Sequence, residues 1–154
     1  MVGGNRVAFD QAREVIACYA KAVTLLGPAG AGQLAKMVNQ ICIAGLLQGL
    51  AEGIEFGQRA GLDMEQVLQV ISKGAAQSWQ MENRGKTMVE DRFDFGFAVD
   101  WMRKDLRICV EEAQRNGAAL EGTRRIAAYY DEVSAAGGGR WDTSSLIRRL
   151  RMRA

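Results

Sequence analysis

Over most of this chain the apolar residues recur with helical rather than strand spacing, and glycine marks the ends of the repeating stretches. Asp10, Ala12, Glu14, Val15, Ile16, Cys18 and Tyr19 predict a helix over residues 8–19. Residues 22–26 predict a short strand that stops at Gly27, so the opening reads as the last β-α-β stub of a larger sheet, a piece too small to be stable alone. From 30 to 60 the pattern is one helix, roughly 45 Å long at about 1.5 Å per residue, with Gly61 as its C-terminal cap. Leu34, Met37, Val38, Ile41, Cys42, Ile43, Leu46, Leu47 and Leu50 cover most of its circumference, which predicts a place in the middle of the structure. Gly45, Gly49, Gly53 and Gly57 recur every four residues. Each costs about 1 kcal/mol of helix propensity relative to alanine, so a second helix is expected very close against that ridge.

Asp63 is placed to start a short helix, and residues 72–78 form a loop into another helix that carries Trp79 and Met81. Residues 91–97 are aromatic-rich and aperiodic, as in a loop packed on the body. Val99, Met102, Leu106, Cys109, Val110 and Ala113 mark an amphipathic helix of about five turns. A helix over 120–133 follows, then the break at Gly137, Gly138 and Gly139. Asp142 or Thr143 opens a last helix rich in Arg148, Arg149, Arg151 and Arg153. The expected class is all-α, a multi-helix domain around one long central helix with a short β/α remnant at the N-terminus.

Composition sharpens this in three places. The single proline, Pro28, suits long helices and not a sandwich or barrel full of proline turns. The absence of histidine removes Ser-His-Asp and Cys-His nucleophile pairs and histidine metal sites, so acid–base chemistry falls to Lys, Asp, Glu, Tyr or Cys. Cys18, Cys42 and Cys109 are odd in number and widely spaced, which predicts reduced, buried thiols in a cytoplasmic protein and no metal site. No signal peptide is expected before the first helix. A formal charge of +2 gives no electrostatic case for nucleic acid. Lys36, Asn39, Gln40 and Gln48 make the most apolar stretch a poor membrane span.

The stretch that can carry chemistry runs Gly27, Pro28, Ala29, Gly30, Ala31, Gly32, then Lys36, Asn39 and Gln40. The glycines suit a tight turn opening a helix, where free N–H groups can meet an anion. Lys36, Asn39 and Gln40 fall on one face of an otherwise apolar helix. If that face is buried, desolvation and the positive end of the helix dipole both disfavour the ammonium form and bring the Lys36 amine toward proton exchange. A glycine-capped helix start with a snorkelling lysine accounts for the same residues, and no Rossmann fingerprint is present.

This run resembles the catalytic segment of the β-hydroxyacid dehydrogenases, the family of 3-hydroxyisobutyrate dehydrogenase, tartronate semialdehyde reductase and, more distantly, 6-phosphogluconate dehydrogenase. Met1 to Gly4 resembles that family's last Rossmann segment. Ala51 with Glu52, Ala60 with Gly61, the stretch from Phe93 to Phe97, and Lys104 with Asp105 and Leu106 extend the likeness along the chain. The resemblance implies an NAD- or NADP-dependent oxidoreductase acting on a small β-hydroxyacid, with Lys36 as general acid and base. It implies substrate-binding roles for Gly32, Asn39 and Gln40, and a cofactor contact for Lys104. It also implies that residues 1–27 are the tail of a dinucleotide-binding domain, and that 28–154 form a helical catalytic and dimerisation domain. Many members carry Asn where Gln40 stands. The family's phosphate loop and substrate-gripping Ser-Gly-Gly segment are not in these residues, so the chain alone is expected to be inactive. Neither NAD against NADP nor the particular hydroxyacid follows.

A different class of reading stays open: a helical dimerisation module without chemistry, using the glycine ridge and Trp79, Trp101 and Trp141. The Arg-rich last helix favours nucleic acid weakly, because cations in a last turn offset the helix dipole and no stacking aromatics are interleaved.

Overall fold

The computed structural model describes residues 1–152. Seven helices follow one another: α1 (Arg6–Ala17), α2 (Ala31–Arg59), α3 (Met64–Ile71), α4 (Trp79–Val89), α5 (Val99–Asn116), α6 (Glu121–Val133) and α7 (Leu146–Arg151). A π turn, Ser134–Gly138, extends α6, and a 3-10 turn, Thr143–Ser145, leads into α7. Arg153, assigned above to the last helix, lies outside the described residues. Contacts divide the chain into two compact units, Met1–Gln40 and the part from Ile41 onward.

In the first unit the expected strand contracts to a single parallel bridge between Val2 and Leu25. The Val2 amide donates to the Thr24 carbonyl at 2.9 Å, and the Leu26 amide to the Val2 carbonyl at 2.8 Å. Asn5 caps α1, its side-chain oxygen accepting from the Val7 and Ala8 amides. Two parallel segments joined by a helix thus stand where the sequence suggests a β-α-β stub, but they meet in one bridge and form no strand.

The second unit has one core, in which Leu47, Ile54, Met88, Phe93, Val99, Met102, Leu106, Tyr130, Val133, Leu146 and Ile147 are almost fully buried. α5 packs against α6, α3 against α4, and α6 against α7. Local signals fix the helix ends. Gly61 takes a φ of +77°, with Leu62 N–H on Gly57 C=O and Gly61 N–H on Gln58 C=O, the paired bonds of a Schellman stop. Asp63 accepts from the Glu65 and Gln66 amides to start α3. The Gly137–Gly139 break brings carbonyls back onto the start of α5, which has no side-chain cap. Val99 N–H reaches Trp141 C=O at 2.8 Å, and Asp100 N–H reaches Gly139 C=O at 3.0 Å.

Three expectations are corrected here. Only one stripe of α2, with Ala44, Leu47, Ala51 and Ile54, is buried; Leu46 and Phe56 are exposed, so this helix is apolar nearly all round without being enclosed all round. By length and apolarity alone α2 could cross a bilayer, but that stripe belongs to the core. The glycine ridge meets no close helix among the described residues. A Cβ at Gly45, Gly49 or Gly53 would find nothing within 4 Å, and only Gly57 is met, by the Met64 side chain. Cys109 is buried as expected, but the free thiols of Cys18 and Cys42 are exposed. Cys18 stands at the end of α1, and Cys42 falls off the buried stripe of α2.

Trp141, named above with Trp79 and Trp101 as a candidate interface residue, is half-buried, its ring standing where a side chain on Gly138 would be. The arginines of α7 are held within the fold. Arg148 and Arg151 both reach Asp91, at 2.9 and 3.0 Å, and Arg149 reaches Glu132 at 2.8 Å.

Candidate functional site

The glycine-rich turn before α2 is built by close backbone approach. A Cβ on Gly3 would lie 2.6 Å from the Pro28 carbonyl oxygen and 2.8 Å from the amides of Ala31 and Gly32. A Cβ on Gly32 would lie 3.2 Å from both the Gly3 amide and the Met1 carbonyl oxygen. The extended segment at the front of the chain therefore presses directly on the first turn of α2. Gly32 has a packing reason to be glycine, and Gly3, which the sequence reading did not single out, has a stronger one.

One turn on, the polar face assembles on a single acceptor. Lys36 Nζ donates to Gln40 Oε1 at 2.8 Å, and Asn39 Nδ2 donates to the same oxygen at 3.0 Å. Gln40 is 2% exposed, whereas Lys36 and Asn39 are exposed. The structure thus gathers Lys36, Asn39 and Gln40, with Gly32 four residues before the lysine on the same helix face. The burial on which the desolvated-amine argument depended is not met for Lys36, because the residues of the first unit leave this end of α2 open. What remains is a positioned ammonium or amine beside a buried amide, facing outward. Such a group can exchange a proton with a bound hydroxyl or carbonyl oxygen once a ligand covers it.

Lys104 belongs to the second unit, on α5. Its Nζ pairs with Asp105 at 2.9 Å while its side chain stays 54% exposed. The same ammonium lies 6.0 Å from the ring centroid of Trp101, one turn earlier on the helix. A cavity of about 360 Å³ is lined by Asp100, Arg103, Lys104, Arg107, Ala127 and Asp131. Arg103 is tied to Asp131 at 2.6 Å and to Asp100 at 3.0 Å. The Ser134 hydroxyl and the Arg103 guanidinium hold the Asp100 carboxyl below its usual range. Burial, with the Asp105 charge adding to it, pushes the Cys109 thiol up, which makes it a poor nucleophile. Burial likewise raises Tyr130 far above its ordinary range, and its hydroxyl donates to the Thr143 carbonyl.

A second, apolar cavity of about 480 Å³ runs along the open glycine ridge. Gly45, Gly49 and Gly53 form its floor, and Val67, Leu68 and Ile71 of α3 are among its walls.

Comparison with known proteins gives a consistent result. Residues 30–150 match a family profile described as NAD-binding of NADP-dependent 3-hydroxyisobutyrate dehydrogenase. An uncharacterized oxidoreductase of Shewanella frigidimarina is 60% identical over 150 residues, covering 97% of this chain and 52% of that protein. The 2-hydroxy-3-oxopropionate reductase of Escherichia coli is 30% identical over 154 residues, covering 100% of this chain and 53% of that one. Among solved structures, Mycobacterium tuberculosis 3-hydroxyisobutyrate dehydrogenase with L-serine superposes with a TM-score of 0.89 at 27% identity, covering 98% of this chain and 54% of that one. The chain spans about half the length of the curated relatives it matches.

Proposed function

The chain belongs to the family of NADP-dependent 3-hydroxyisobutyrate dehydrogenases, and from that premise we propose that it is the helical, proton-transferring part of an NAD(P)-dependent oxidoreductase acting on a small β-hydroxyacid. The observation that carries this is the convergence of Lys36 and Asn39 on the Gln40 amide oxygen. Gln40 is buried and shared, so it fixes where the Lys36 nitrogen stands. In oxidation the neutral amine of Lys36 takes the hydroxyl proton from substrate. In the reverse direction the ammonium returns it to the carbonyl oxygen. Asn39 and the first turn of α2 at Gly32 orient the substrate, whose carboxylate is favoured at a helix N-terminus.

The nicotinamide, when bound, accepts or supplies the hydride of this reaction. Lys104 and the neighbouring Arg107, both exposed beside the 360 Å³ cavity, have the charge to meet a phosphate-bearing ligand. On this reading residues 1–27 are the tail of a dinucleotide-binding domain and 28–154 the catalytic and dimerisation domain, in a cytoplasmic enzyme. Turnover then requires a nucleotide-binding half corresponding to the part of the relatives that this chain does not match, and the chain alone is inactive.

A second role is compatible with the first and rests on a different observation. The open glycine ridge and its apolar cavity suit a second copy of the chain, so the helical unit also pairs into a homodimer.

The test is to join the chain to the half of the Shewanella relative that it does not match and measure NAD(P)-dependent oxidation of 3-hydroxyisobutyrate and its analogues. Lys36→Ala should abolish turnover while leaving cofactor affinity nearly unchanged. Turnover retained by that variant would refute the proton-transfer role.

A further inference from the structure

The matched region is one whose family is described as NAD-binding, and the exposed surface of the helical unit carries chemistry that suits a nucleotide. A nucleotide joins a flat ring to phosphates, and proteins meet that combination with an exposed aromatic face beside a cation. Several aromatic rings among the described residues have a cationic side chain over them, and in most the cation is already engaged. Arg84, near Trp79 and Phe95, is 18% exposed and bound to buried Asp142. Arg148, over Trp141 and Phe93, is held by Asp91. Arg149, over Tyr129, is 6% exposed and bound to Glu132. Lys104 beside Trp101 differs: the lysine is 54% and the tryptophan 58% exposed.

The indole is also fixed in place. Phe97 meets Trp101 edge-to-face, with centroids 6.3 Å apart and planes at 73°. The Phe97 amide in turn donates to buried Asp142 at 3.0 Å. A held ring loses little conformational freedom when a ligand stacks on it. Next to it, the cavity lined by Lys104 and Arg107 offers two exposed cations: Arg107 is held only by an exposed pair with Glu111, of the weak kind that a phosphate can displace, and Lys104 keeps its ammonium exposed beside the largely buried Asp105.

We propose that Trp101 is a further ligand-contacting residue, its indole face stacking a planar ring of the dinucleotide while Lys104 pairs with an oxygen of the same ligand. This rests on the dinucleotide-dependent reading above. Either ring of the dinucleotide offers the required flat face, and the experiment separates them.

The indole N–H signals of Trp79, Trp101 and Trp141 are followed by NMR in the full chain during titration with NADP⁺, nicotinamide mononucleotide and 2′,5′-ADP. Trp101→Phe and Trp79→Phe serve for assignment, and the method reads millimolar affinities. NADP⁺ should move the Trp101 signal and leave Trp79, an equally exposed indole, unmoved. Trp101→Ala should weaken NADP⁺ binding about tenfold, Trp101→Phe should keep most of it, and Trp79→Ala should change nothing. Movement with the mononucleotide assigns the nicotinamide ring, and movement with 2′,5′-ADP assigns the adenine. If Lys104→Ala weakens binding but Trp101→Ala does not, the stacking role is overturned while the dinucleotide reading stands. If the wild-type chain binds none of the three ligands, the Trp101 contact is overturned, while the dinucleotide reading is decided separately by NAD(P)-dependent turnover of the joined enzyme.

Discussion

Gln40 holds Lys36 from below: the buried amide oxygen of the one accepts the exposed side-chain nitrogen of the other at 2.8 Å. The same oxygen takes Asn39, so one acceptor orders two candidate substrate-facing groups. Replacing Gln40 by leucine keeps the volume and removes the acceptor. In the joined enzyme, Gln40→Leu is expected to lower kcat at least tenfold with cofactor affinity unchanged, and Gln40→Asn to restore part of the loss. Steady-state kinetics of the two variants checks this. Equal kcat in wild type and Gln40→Leu would mean that Lys36 needs no support from this side.

The turn before α2 makes a second prediction, about stability. Gly3 cannot carry a side chain without moving the backbone of Pro28, Ala31 and Gly32, since its Cβ would stand 2.6–2.8 Å from their atoms. Gly3→Ala should cost about 1–3 kcal/mol, the usual penalty of overpacking, and should disturb the Lys36 face with it. Chemical denaturation, with the Lys36 side-chain signal as a local probe, reads both effects.

On the ridge of α2 the opposite sign is expected. A Cβ on Gly49 would meet nothing within 4 Å, so Gly49→Ala should stabilise the separated monomer by about 1 kcal/mol through helix propensity. Should a second copy pack on this ridge, as proposed, Gly49→Leu will separate the dimer without harming the fold of each monomer. Light scattering coupled to gel filtration distinguishes these, and a Gly49→Leu protein that stays dimeric would move the interface elsewhere.

These cases show which parts of the molecule could be read beforehand. Helix ends written by local chemistry were legible: the Gly61 stop, the Asp63 cap and the long run of α2 each depend on neighbours within a few residues. The Lys36, Asn39 and Gln40 grouping was legible for the same reason, because helical spacing alone puts them together. Burial was not. Periodic glycine implied a close partner for α2, yet spacing cannot say whether that partner lies in the same chain. Lys36 looked buried because its helix is apolar, but the covering residues are not supplied by the first unit. Asp142 was legible only as the start of the last helical segment, where its side chain accepts from the Ser144 amide; its joining role was not, since Arg84 and Phe97 are 58 and 45 residues away.

Asp142 nevertheless should be the costliest single residue to remove. It is 1% exposed and accepts from Arg84 Nε at 3.2 Å, from the Phe97 and Ser144 amides at 3.0 Å, and from the Ser144 hydroxyl at 2.6 Å. Asp142→Ala strands the Arg84 charge and two backbone donors. A loss of about 3–5 kcal/mol is expected, as for other broken buried pairs, with Asp142→Asn milder because it keeps acceptors. Urea denaturation compares the two. A loss below about 1 kcal/mol for the alanine variant would mean that water replaces these bonds at no great cost.

Asp100 supplies the pH dependence. The Ser134 hydroxyl donates to its carboxylate at 2.7 Å and Arg103 at 3.0 Å, and together they lower its pKa from the ordinary 3.8 against a small opposing effect of burial. It also stands in the first turn of α5, where a negative charge complements the helix dipole. Because the folded value lies below the unfolded one, the folded chain binds fewer protons near that range. The stabilisation is therefore fully present above about pH 4 and fades as pH falls through the lowered folded value. The carboxylate is 48% exposed, so solvent screens it and the effect is small. Thermal melts between pH 6 and about pH 2.5 should show wild type losing stability on the acid side more steeply than Asp100→Asn. Ser134→Ala, which removes the largest contributor to the lowered pKa, should lie between them. Parallel acid limbs for wild type and Asp100→Asn would place the acid sensitivity in other carboxylates.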